Sequence, residues 1–354
     1  MKNKFNIAES GNLFIFALIA MSLVSIIASV LPSSVYFGGI SVANWVGYAL
    51  TQIAVIVVIL VYSRLRKTNF LNAIGLSKKL NAKQVLLTPL ITISCLIAFL
   101  PLATAFSDLL SVMGYKGSIA VPTEAEAAPY ITAIFIIALL PAIGEEWLIR
   151  GAILKGLNEK GVFFGVFISA FLFAFMHFNP LQTVYQFCLG SVLAVVAVYS
   201  GNVICTVIIH FLNNLISLTI STFAPDFLSF DFGGFNYLIY LAMFIAGIML
   251  LVLFLLLFYK ASSKKAEDVT TLEYDDYTFT FHNQSERKDN FLVEYFKCLG
   301  GIFTKKGWTN FKNTLTDSID YDLTLANKGQ AASVYIAIGF VTLWWLINLI
   351  LGLV

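Results

Sequence analysis

Charge is what this chain has least of. Only 12% of its residues are Asp, Glu, Lys or Arg, while 59% are hydrophobic and the mean hydropathy is +0.85. That composition cannot clothe a soluble fold of this size in polar surface. The net charge of +2 supplies no basic field for a phosphate backbone, so no nucleic-acid partner is expected. The four cysteines, Cys95, Cys188, Cys205 and Cys298, have neither metal-ligand spacing nor the pattern of a disulfide framework. Internal repeats and low-complexity tracts are also missing, and histidine occurs three times in the whole chain.

What is abundant is long apolar sequence. A run of about 20 residues crosses a hydrocarbon core of roughly 30 Å as a helix, and nine runs qualify: 13–31, 42–62, 85–106, 128–148, 161–179, 183–200, 203–222, 236–259 and 331–353. The fold class is therefore all-α, a polytopic membrane helix bundle of about nine transmembrane helices. The first run follows Lys2 and Lys4 but is long for a signal sequence and lacks a small-residue cleavage site, so it reads as a retained helix. Residues 63–84 hold Arg64, Arg66, Lys67, Lys78, Lys79 and Lys83 without one acid. The positive-inside rule puts this loop, and with it the N-terminus, in the cytoplasm of a multi-pass cell-membrane protein. The uncharged loop 32–41 and the loop carrying Asp108, Lys116, Glu124 and Glu126 fit the outer side. Nine spans then leave the C-terminus outside. The domains read as a transmembrane bundle over 1–260, a cytoplasmic polar insert over 261–330 and a C-terminal transmembrane helix over 331–354. The insert has few aliphatic residues from which to build a core. It reads as a partly ordered tether.

Ionisable groups inside apolar spans are expensive and need compensation. In GEEWLIRG, residues 144–151, Glu146 and Arg150 stand four apart on one helix face with the carboxylate N-terminal, the favourable order. Glu145 is rotated by about 100° and needs another partner. The alternative is that both acids sit solvated at the interface beside Lys155 and Lys160. His177 closes FAFMH, one turn after Phe173, and Gly161, Gly165 and Ser169 precede it as a small-residue stripe suited to close helix approach. Around a turn near 159–160, Glu145 and His177 lie about 21 and 26 Å along their helices. They can meet at similar depth. In HFLNN, residues 210–214, His210 and Asn214 share a face with Asn213 beside them, although such residues also serve as interhelical hydrogen-bonders. His210 lies only about 10 Å past the cytoplasmic end of its span, shallower than the other two. Irregular helix at Pro141 and at Asn179-Pro180 would reconcile the depths. His282, in the insert, reads as a surface residue.

The three stretches resemble the motifs of the CAAX protease and bacteriocin-processing family of intramembrane endopeptidases, which includes the type II CAAX prenyl endopeptidases. EExxxR is Glu145, Glu146 and Arg150; FxxxH is Phe173 and His177; HxxxN is His210 and Asn214. The resemblance covers residues 125–222. It implies a peptidase in which Glu145 activates water, His177 and His210 orient that water or polarise the scissile carbonyl, and Asn214 donates to the oxyanion. Glu146, Arg150 and Phe173 would support them. Catalytic zinc on Glu145, His177 and His210 and a metal-free glutamate mechanism both remain open. The implied surroundings are membrane lipid, with a cavity opening to the cytosol, and the implied substrate is a membrane-associated or lipidated peptide or protein, such as a bacteriocin or signalling-peptide precursor. A catalytically inactive immunity or scaffold protein of the same fold is the alternative from another class. A transporter would also hold Glu and His in its spans, but inverted repeats and matched broken helices are missing.

Overall fold

The computed structural model describes residues 2–117, 125–224, 236–262, 269–274, 277–282, 290–319 and 328–354, the segments 269–274 and 277–282 by backbone alone. The protein is an all-α polytopic membrane bundle, with eight helices among the described residues long and apolar enough to cross a bilayer. These are α1 (Ile7–Ser29), α2 (Val42–Leu65), α3 (Ala82–Val112), α4 (Ala127–Lys160), α6 with its lead-in turn (Pro180–Ser200), α7 (Val203–Phe223), α8 (Asn236–Ser262) and α11 with its lead-in turn (Gly329–Leu353). Leu23, Ile53, Leu90 and Leu343 lie exposed along them, as lipid contact requires.

The remaining expected span, 161–179, is shorter than its hydropathy implies. Its helix α5 covers Val162–Phe175, 14 residues, or about 21 Å at 1.5 Å per residue. The local chemistry ends it there. Phe178 takes a left-handed backbone with φ 53°, and Asn179 is extended with φ −116° and ψ 112°, because the proline after it disfavours the helical region. Gly161 starts α5 from φ 103° with nothing near its missing Cβ. It serves the turn, and the small-residue stripe is not a helix seam at that position. Close approach to α5 comes instead from Gly190 of α6, where a Cβ would lie 3.0 Å from Phe173 Cδ1 and 3.2 Å from Ala170 Cα.

Helix α4 is longer than expected, at 34 residues, and its winding widens twice. Widened π-helical turns at Ile134–Leu139 and Trp147–Ile153 bracket the α-helical stretch Leu140–Glu146. Pro141 sits where the winding changes and has no N–H to donate to the wide turn before it. Wide turns of this kind concentrate at functional sites. The helix runs between two apolar clusters: Leu148, Ile149 and Leu157 pack with α1, α2, α5 and α11, while Leu154 packs with α3, α6 and α8.

One end of the bundle gathers most of the polar connections. Lys2 N donates to Lys67 O at 3.1 Å, Lys155 Nζ to Asn72 O at 2.9 Å, Asn202 Nδ2 to Lys78 O at 2.5 Å and Asn81 Nδ2 to Ala261 O at 2.6 Å. The α11 residue Ser333 donates to Ala8 O at 3.0 Å, whereas at the other end Lys116 N donates to Gly352 O at 2.7 Å. The N-terminus, the basic loop, both turns flanking the α5–α6 hairpin and the entry to the insert thus share one face. The insert itself contains an antiparallel hairpin, β3 (Val269–Tyr274) with β4 (Tyr277–His282), after the short β1 (Tyr36–Phe37) and β2 (Ile40–Ser41). Its helices α9 (Phe291–Gly301) and α10 (Lys305–Asp317) follow, with Leu315 fully buried in the bundle core. The side chain of His282, and Glu124, lie outside the described residues.

Candidate active site

The best-held group is the inner carboxylate. Arg150 Nη1 donates to Glu146 Oε1 at 2.8 Å with both side chains fully buried, the pairing that i, i+4 spacing dictates. The same oxygen accepts from His210 Nδ1 at 3.0 Å, which ties α7 to α4. Arg150 Nη2 reaches the Gly190 carbonyl of α6 at 3.1 Å, and its guanidinium lies 4.2 Å above the Phe173 ring. Phe173 is the hub. Both histidine rings meet it edge-on, His177 at 5.1 Å and His210 at 5.5 Å between centroids.

Glu145 keeps different company. Its Oε1 accepts from Gln52 Nε2 of α2 at 2.8 Å, and its Oε2 stands 3.8 Å from His177 Nε2, too far for a direct hydrogen bond. His177 Nδ1 lies 2.7 Å from Phe173 O. A carbonyl only accepts, so Nδ1 carries the hydrogen and Nε2 is left to face Glu145.

Asn214 stands one step away. Its Nδ2 donates to Ile137 O at 3.4 Å, a carbonyl of the wide turn Ile134–Leu139. Asn213 Nδ2 donates to Asn214 Oδ1 at 3.3 Å, and Asn213 Oδ1 in turn accepts from the buried Tyr185 hydroxyl. A chain of amides thereby sets which way the Asn214 side chain faces. The depth conflict of His210 also resolves. The Gly201 carbonyl before α7 and the Lys155 ammonium of α4 meet against Gly75. The direct contact of His210 Nδ1 with Glu146 Oε1 sets α7 and α4 at one level there.

Glu145 and His177 therefore come together, as do Glu146, Arg150 and His210, with Phe173 between the two groups. Gln52 and Tyr185 are additions that sequence reasoning missed. A carboxamide ten residues into an apolar span was the available signal for Gln52. For zinc, the requirement is three side-chain ligands around one point with a fourth position open. Among the described residues no group of three or more His, Cys, Asp or Glu side chains is gathered to hold a metal ion, while the Nδ1 contacts of His210 to Glu146 and of His177 to a backbone carbonyl leave both Nε2 atoms free, as histidine ligands have them.

The sequence around this constellation matches a known family. Residues 127–216 fit the family model described as type II CAAX prenyl endopeptidase Rce1-like. This part of the chain is similar to that family. The Rce1-like segment runs from the first turn of α4 into α7, and so contains Glu145, Glu146, Arg150, Phe173, His177, His210 and Asn214. Gln52, the insert and α11 lie outside it. No curated protein and no solved structure matches the chain.

Proposed function

We propose that this protein is a CAAX-type intramembrane endopeptidase that hydrolyses a peptide bond of a membrane-associated or lipidated peptide or protein. The observation that carries the proposal is the facing of Glu145 Oε2 and His177 Nε2 across 3.8 Å, a separation that a single bound water spans, within an Rce1-like segment. Glu145 takes a proton from that water as its oxygen adds to the scissile carbonyl carbon. His177, anchored at Nδ1, orients the water through Nε2. His210, anchored at Nδ1 by Glu146, leaves Nε2 as an acceptor for the N–H of the scissile amide, and the second N–H of Asn214 donates to the oxyanion as charge develops there. Collapse of the tetrahedral adduct breaks the C–N bond. The proton held by Glu145 then passes to the leaving amine, giving a carboxylate and a free amino terminus. Glu146 and Arg150 hold α4, α6 and α7 in register.

N-terminal proteomics of membranes tests this. Membranes with the parent protein should contain new N-termini that vanish with Glu145→Gln at an equal amount of folded protein. Identical N-termini in the two membranes would show the chain to be an inactive scaffold or immunity protein.

A further inference from the structure

The two adjacent glutamates of α4 are held by chemically different donors. Glu146 accepts from a guanidinium and an imidazole, whereas Glu145 accepts from the neutral carboxamide of Gln52 at 2.8 Å. Gln52 is 8% exposed and Glu145 4%, so the contact is within the bundle. Gly144 permits it: a Cβ there would lie 3.1 Å from Gln52 Oε1 and 3.4 Å from Gln52 O, so only a bare helix surface lets α2 come this close. Gln52 Oε1 is itself buried without a hydrogen-bond partner. An amide that leaves one end unsatisfied is there for what its other end does.

We propose that Gln52 is a positioning residue for Glu145, holding Oε1 so that Oε2 is directed at His177. The inference rests on the reading of Glu145 as the base that activates water. A carboxylate that must take up a proton needs orientation without a cation against it, because a neighbouring cation favours the charged form. A neutral N–H donor meets both conditions. An arginine or lysine at the same place would meet only the first. The Rce1-like match begins at residue 127, so α2 contributes to this site from outside the segment that the family model covers.

The experiment uses full-length protein in membranes, with the parent, Glu145→Gln, Gln52→Met and Gly144→Ala compared per folded molecule. Methionine keeps the length of glutamine and removes its donor. Alanine at 144 presses on the same amide from the other helix while raising helix propensity. The readouts are the rate at which Glu145-dependent N-termini form, and the Glu145 carboxylate stretch isolated as the infrared difference between each protein and its Glu145→Gln form. Gln52→Met should slow product formation tenfold to a hundredfold and move the carboxylate band. Gly144→Ala should lower the rate while thermal stability stays at or above that of the parent. An unchanged rate in Gln52→Met beside an inactive Glu145→Gln, or a carboxylate band that does not move, overturns the role of Gln52 alone. Equal products from the parent and Glu145→Gln overturn the reading on which it rests.

Discussion

Neighbouring residues of one type acquire separate tasks here through their partners. Glu146 is part of a fully buried pair with Arg150, and removing one member of such a pair leaves an uncompensated charge at a cost of about 3–5 kcal/mol. Arg150→Ala is therefore expected to reduce the folded fraction and the Tm, read by fluorescence-detected chromatography and thermal unfolding in detergent. Arg150→Lys should recover only part of the loss, because a single ammonium cannot bond Glu146 and the Gly190 carbonyl while lying on Phe173. A folded Arg150→Ala protein with normal Tm would contradict this. At the same scale, turnover by protein groups and water alone should survive a strong chelator. Stoichiometric zinc in active, chelator-washed protein would reverse that expectation. The Glu146–Arg150 pair was legible from spacing alone. The Glu145–Gln52 contact was not, because nothing local relates residues on α2 and α4.

Among the elements, α4 owes its use to a defect. Pro141 withholds one N–H from the helix beside the wide turn Ile134–Leu139, where the Asn214 amide of α7 donates to Ile137 O, so an irregular turn that weakens one helix links it to another. Pro141→Ala restores the missing donor and removes a residue costing up to about 3 kcal/mol in a helix interior. The variant should be at least as thermostable as the parent and slower in turnover, since a regular turn there would draw Ile137 O away from Asn214. Lower stability with unchanged turnover would refute the linkage. The short α5 follows the same logic, since Asn179-Pro180 stops it about 21 Å from its start, and the stop places His177 at the end of the helix beside Glu145. The proline positions could be read beforehand. The wide turns and the side-chain partner of Ile137 O could not.

Across the whole molecule, the polar connections collect at one end, and the insert joins them there through Asn81 and Ala261. By the positive-inside rule that end is expected to face the cytoplasm. Cys298 on α9 is exposed, while Cys95 and Cys205 are buried, so it is the native reporter of sidedness. An impermeant maleimide should label Cys298 in inverted vesicles and not in intact cells. Partial desolvation by its neighbours, with Glu294 beside it, pushes the thiol of the exposed Cys298 above the usual cysteine range, so less of it is thiolate at neutral pH. Labelling should be slow there and rise about tenfold per pH unit until the thiol titrates. Labelling in intact cells would invert the topology.

Composition and hydropathy by themselves determined that this chain enters a membrane as helices, because apolar length is a local property that bilayer thickness converts directly into spans. Spacing determined that Glu146 would face Arg150 and that His210 and Asn214 would share a side, because helical periodicity is local as well. Only the tertiary structure decided which carboxylate meets which histidine: Glu145 faces His177, and Glu146 takes His210. It alone brought Gln52 and Tyr185 to the site. Those contacts join helices distant in sequence, and they depend on how closely Gly144 and Gly190 let the helices approach, a matter of packing that no periodicity encodes.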